Sequence, residues 1–161
     1  TDGGKFGALD SNYGGNSELG SEMWDGTNGD ITNWVKFGNN EISRDSGAVK
    51  ITYKDDASGY YIYLRDSSHL NADLVVGKFY RLTFSTKINN GSVTWSLSEE
   101  DEDSYNSDSL SSTSFVTRQI DFLATATTDH YLYPASMDGT EEVWIKDISL
   151  KLINGNHGTL S

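Results

Sequence analysis

The sequence predicts an all-β sandwich, and three observations carry that prediction. Apolar and polar residues alternate at a period of two over several short segments, as half-buried strands require. Clusters of Gly, Asn, Asp and Ser separate these segments, supplying turn chemistry at each break. No stretch sustains the i, i+3, i+4, i+7 spacing of an amphipathic helix, and Ser68 to Val76 holds one helical turn at most.

Residues 1–30 carry apolar side chains only at intervals (Phe6, Leu9, Tyr13, Leu19, Met23, Trp24) and read as an irregular arm or a set of loops. From Ala48 to Tyr53 the chain alternates, with Val49, Ile51 and Tyr53 on one face and Lys50 and Thr52 on the other. Asp55-Asp-Ala-Ser-Gly59 is a turn. Tyr60 to Arg65 forms the next strand, with Tyr60, Ile62 and Leu64 opposing Tyr61, Tyr63 and Arg65. A third strand follows Gly77, burying Tyr80, Leu82 and Phe84. Asn89-Asn-Gly91 reads as a hairpin turn, because Asn and Gly accept positive φ, and Val93, Trp95 and Leu97 form the inward face of the return strand. Ser98 to Ser114 is a polar loop. Val116 to Phe122 and Tyr131 to Tyr133 are further strands, and Val143 to Ile153 closes the domain. In that last strand Val143 and Ile145 share one phase while Ile148, Leu150 and Leu152 share the other. The three-residue step predicts a β-bulge near Lys146-Asp147.

With 161 residues the chain suits one domain, large enough to bury a core without covalent staples. It carries a net charge of −12, yet 35% hydrophobic residues, including 9 Tyr, 6 Phe and 4 Trp, are too many for a disordered acidic chain. The charge argues against a nucleic-acid partner, since no Lys/Arg face is visible. No apolar run approaches the roughly 18 residues of a membrane span, so no membrane insertion is expected. The absence of cysteine excludes disulfides, thiolate metal sites and Cys nucleophiles. The first residue is Thr1 rather than Met, as in a processed chain or a fragment.

Catalytic signatures are absent: there is no HExxH, no phosphate-cradling Gly-rich loop and no GxSxG elbow, and His69, His130 and His157 lie far apart. A carboxylate pair for glycoside hydrolysis is the enzymatic alternative, but nothing singles out one pair among 24 acids. The acidic run Glu99 to Asp103 lacks the order of a calcium-binding loop and reads as solvated charge. Asp147 differs, because a carboxylate inside an apolar closing strand must be paired, hydrogen-bonded or metal-bound. The aromatics are more telling. Tyr61 and Tyr63 stand side by side with Arg65 on one face, a combination of aromatic planes and hydrogen-bonding groups that suits sugar rings. Trp34 and Tyr105, read as loop aromatics, are further candidates for ligand contact.

Ala48-Val-Lys-Ile-Thr-Tyr53, Leu74 to Lys87 with its Gly-Lys-x-Tyr-x-Leu-x-Phe core, Phe115 to Leu123 and Val143-Trp-Ile-Lys-Asp-Ile-Ser-Leu150 together resemble the carbohydrate-binding modules of the cenC-like jelly-roll superfamily. The likeness spans about residues 20–153. It implies a two-sheet antiparallel jelly roll, a polysaccharide or glycan partner, and no catalysis. It also implies a structural Ca²⁺ held near the N-terminal segment, with Asp147 as the closing-strand acid and Asn16 and Glu18 of Asn16-Ser-Glu-Leu19 as co-ligands. Ser21-Glu-Met-Trp24 and Asn154-Gly-Asn-His-Gly158 resemble the flanks of jelly rolls embedded in tailed-phage virion proteins. The division implied is an arm at residues 1–20, the binding domain at 21–153 and a linker at 154–161. The expected function is a non-catalytic glycan-binding module displayed outside a cell or on a virion surface. A capsid-decoration, tail or adaptor domain gripping another virion subunit is the structural alternative.

Overall fold

A computed structural model describes residues 18–36, 39–54, 60–99 and 105–154, the side chains of Glu18, Tyr60 and Tyr61 excepted. Eleven strands occur among the described residues, and no helix. They are β1 (Glu18–Glu22), β2 (Val35–Lys36), β3 (Glu41–Asp45), β4 (Ala48–Thr52), β5 (Tyr60–Tyr63), β6 (Phe79–Ile88), β7 (Thr94–Ser98), β8 (Tyr105–Asn106), β9 (Val116–Leu123), β10 (Tyr131–Ala135) and β11 (Glu142–Asn154). One sheet runs β3-β4-β11-β6-β9, with β1 also paired to β11; the other runs β2-β5-β10-β7-β8, and all pairings are antiparallel. The all-β jelly-roll sandwich read from the sequence is the fold observed.

Period-two patterning builds the core. Along β6 the residues Tyr80, Leu82, Phe84, Thr86 and Ile88 are buried while the residues between them face outward. Opposite them, Trp95 and Leu97 of β7, Ile62 of β5 and Leu132 of β10 are fully buried. Each such side chain contributes about 1.5–3 kcal/mol on leaving water. Phe84 meets Trp95 edge-to-face at 5.5 Å, and the Trp95 indole N–H donates to Thr86 Oγ1 at 2.8 Å while the Val75 amide donates to the Tyr80 hydroxyl at 2.9 Å, so both buried hydroxyls of the β6 stripe are satisfied.

That contact reveals a difference from the sequence reading. Asn89-Asn-Gly91 does not close a hairpin: β6 and β7 lie in different sheets and face each other across the core. The turn chemistry serves a corner instead. Gly91 adopts φ +70, and the Asn89 side chain donates to the Thr140 carbonyl and accepts from the Glu142 amide, which ties the corner to the start of β11. A hairpin does form at Asp45-Ser-Gly-Ala48, where Ser46 (φ 53) and Gly47 (φ 81) supply the two left-handed residues of a primed turn. It adds β3 as an edge strand.

The predicted bulge is present, with the β11–β6 register shifting between Lys146 and Ser149. Asp147 sits in it at φ 51. The expected arm boundary at residue 21 falls inside β1, because Glu18 and Leu19 already pair with Asn154 and Ile153. The sheet therefore includes residues 18–20 and Asn154.

Candidate ligand-binding face

The outward side of the five-stranded sheet carries a row of aromatic and polar side chains. Ile62 and Leu132 pair directly across β5 and β10 and are both fully buried. The period of two then turns their neighbours, Tyr63 and Tyr131, to the opposite side, where the register sets them against each other. Their rings meet edge-to-face at 5.9 Å, and Tyr131 meets Tyr133 at 5.6 Å with planes 30° apart. Beyond Tyr63, the Arg65 guanidinium lies over its ring at 4.2 Å. On the other flank Tyr131 opposes Ser98 and Tyr133 opposes Ser96, whose hydroxyl donates to Asn106 Oδ1 in β8. The face thus runs from a cation through three tyrosines to the exposed Asn106 amide, with Ser96 and Ser98 buried between them. Such a row can stack on the apolar C–H faces of sugar rings and hydrogen-bond their hydroxyls.

The expected site residues are distributed as follows. Tyr63 and Arg65 are together on this face. Tyr61 occupies the matching strand phase, with its backbone paired to Val35, and its side chain lies outside the described residues. Trp34 does not join them: it is 8% exposed and packs into the core. Tyr105 is likewise corrected. It lies in β8 rather than in a loop, pairs with the inward-facing Leu97, and its ring packs against Phe122 at 6.2 Å. Tyr105 takes its core-side position from strand pairing, and Trp34 packs inward from the turn that leads into β2. Tyr131 and Tyr133 are the members that sequence reasoning missed. The signal was there, since Tyr131-Leu-Tyr133-Pro repeats the pattern of Tyr61-Ile-Tyr63-Leu.

Of the set implied for Ca²⁺, only Asp147 has its side chain among the described residues. Glu18 pairs with Asn154, seven positions along β11 from Asp147, which at about 3.3 Å per residue is on the order of 20 Å. Asn16 lies outside the described residues. Asp147 is exposed, and its bulge is closed by Asn28, whose side-chain amide donates to Asp147 Oδ1 at 2.9 Å and accepts from the Asp147 amide at 2.7 Å. Among the described residues no three His, Cys, Asp or Glu side chains come close enough to share a metal ion. The acid that anchors this end of the closing strand is Glu22. Its carboxylate accepts from the Trp24 and Leu150 amides at 3.0 and 2.8 Å and from the Ser149 hydroxyl. Burial pushes its pKa up, but these three donors and the charge of Lys151 together outweigh that and lower it from the usual carboxylate value.

Two histidines are structural. His69 stacks on Trp24 at 5.0 Å, and its Nε2 lies 3.5 Å from Asp30. His130 is 1% exposed, and its Nε2 accepts from the Thr125 and Ala126 amides at 3.1 and 3.4 Å. Burial pushes both imidazoles below their ordinary pKa. His130 immediately precedes Tyr131, so this neutral imidazole fixes the loop that feeds the aromatic strand. His157 lies outside the described residues.

No protein-family profile matches the sequence, and no curated protein matches it. Solved structures do share the fold. A xylan-binding domain, CBM22-1, from Paenibacillus barcinonensis superposes with a TM-score of 0.59 at 11% identity, over 86% of this chain and 97% of that one. A variant of CBM29-2, a family 29 carbohydrate-binding module, complexed with mannohexaose superposes at 0.58 with 16% identity, over 85% and 94%. Another CBM29-2 variant, complexed with cellulohexaose, superposes at 0.56 with 16% identity, over 83% and 90%. The architecture is that of carbohydrate-binding modules.

Proposed function

We propose that this domain is a non-catalytic module that binds a polysaccharide chain along the outer face of the five-stranded sheet. The observation that carries the reading is the contiguous row Arg65–Tyr63–Tyr131–Tyr133, flanked by Ser96, Ser98 and Asn106. The neighbours' fold supports it, as modules of this architecture include a xylan-binding domain and complexes with cellulohexaose and mannohexaose. The outward positions of β5, β10 and β7 hold no Asp or Glu, which favours binding over carboxylate-pair hydrolysis at this face. Because polysaccharides of this kind lie outside cells, the proposal includes display outside a cell or on a virion surface.

Affinity electrophoresis against xylan, glucomannan and mixed-linkage β-glucan tests the site. Retardation by at least one polymer is expected in the parent. Its loss by roughly tenfold or more is expected in Tyr63→Ala/Tyr131→Ala, on the scale of a 1.4 kcal/mol or larger contact. A parent that binds no glycan, or a folded double variant that binds as the parent does, overturns the reading.

A further inference from the structure

The bound chain has one chemical feature that Arg65 identifies, on the basis of the aromatic face described above. The protein has four arginines. Arg44 donates to the Gly29 carbonyl and faces Asp30, Arg81 grips Asp121 through two nitrogens at 2.8 and 2.7 Å, and Arg118 donates to the Thr117 and Ser109 carbonyls. Arg65 alone has no acceptor among the described residues. Its guanidinium carbon lies 4.2 Å from the Tyr63 ring centroid, and its Nε, like that of Arg118, is buried with no hydrogen-bond partner. An unsatisfied N–H on a charged group is costly in a chain that offers 24 carboxylates, and such groups are ordinarily paired. Over an aromatic ring a guanidinium keeps its cation–π contact while its terminal nitrogens can take a carboxylate through two parallel hydrogen bonds.

We propose that the ligand carries a uronic-acid carboxylate that pairs with Arg65 while the neutral part of the chain lies on Tyr63, Tyr131 and Tyr133. The net charge of −12 narrows the class further. A polyuronate would place many like charges against this surface, within a screening length of about 8 Å at physiological ionic strength. A mostly neutral backbone bearing sparse uronate branches presents one carboxylate to Arg65 and few to the rest of the protein.

The test uses matched probes: glucuronoxylan and xanthan, each native and with its carboxyl groups chemically reduced to alcohols. Titration calorimetry with the full chain is expected to show the native form of at least one pair binding about tenfold more tightly than the reduced form, the scale of one charge-assisted pair. The ratio should fall to about one in Arg65→Ala, and Arg65→Lys should recover only part of it, since a lysine keeps the charge without the fork. Equal affinity for native and reduced forms, or no binding of either pair, in a protein that still binds neutral glycans through Tyr63 and Tyr131 overturns this inference and leaves the binding function standing. Absence of binding to every glycan overturns both. A native preference that survives Arg65→Ala places the carboxylate elsewhere and overturns the assignment.

Discussion

Acidification from pH 7.5 to 5 should progressively destabilise this domain, and His130→Gln should remove about half of the effect. The His130 ring is buried beside Phe122, 5.3 Å away, and accepts two backbone N–H groups at Nε2. A proton there would set donor against donors. Burial lowers its pKa, and the facing carboxylates Glu99 and Asp129 oppose that shift without cancelling it. His69 behaves alike, with burial opposed by Asp30 and Asp25. The sign follows directly. With the folded pKa below the unfolded value of about 6.5, the histidine contribution is complete above pH 6.5. Below that, the unfolded chain takes up protons that the folded chain refuses, and stability falls. Each histidine adds a slope of at most about 1.4 kcal/mol per pH unit, so the pair adds up to about 2.7. The carboxylates held low, Glu22, Asp30, Asp45 and Glu141, act in a separate window. Their contribution is present above the ordinary carboxylate range and is lost below it. Urea denaturation at pH 7.5, 6.5, 5.5 and 5.0, followed by tryptophan fluorescence, measures the slope. In His130→Gln a neutral amide oxygen can accept the same backbone groups, so the slope should halve. Stability that is flat across this range, or a slope unchanged in the variant, refutes the reasoning.

Trp34→Ala should destabilise the domain by about 3–5 kcal/mol in urea denaturation, as expected for a large core side chain, and leave glycan retardation unchanged. Loss of binding at intact stability would return Trp34 to the ligand site. Glu18→Gln should melt with the same response to millimolar calcium as the parent, because the register of β1 on β11 keeps residue 18 far from Asp147. A calcium-induced shift that this variant alone abolishes would contradict that register.

Much of the fold was legible because strand patterning is local. The segments at residues 48–53, 60–65, 116–122 and 143–153 could be drawn from alternation alone, and the phase slip between Ile145 and Ile148 announced the bulge. The weak places were those where local signals are ambiguous. Val35–Lys36 and Tyr105–Asn106 are two-residue strands too short to show a period, so their aromatic neighbours read as loop residues and were assigned to the ligand. Asn89-Asn-Gly91 gave a true turn, but positive φ says only that the chain reverses, not whether the next strand pairs beside the last or crosses the sandwich.

By itself the sequence determined the all-β class, the inward stripe of β6, the outward phase of Tyr63 and Arg65, and the bulge that carries Asp147. All of these follow from a period of two read along one segment at a time. Only the tertiary structure decided which strands lie side by side. That choice brought Tyr131 and Tyr133 of β10 next to Tyr63, drew Trp34 and Tyr105 inward, and separated Glu18 from Asp147 along β11. Pairing between distant segments is fixed by complementary burial across the whole core. A binding face assembled from two strands separated by some seventy residues becomes visible only once that burial is complete.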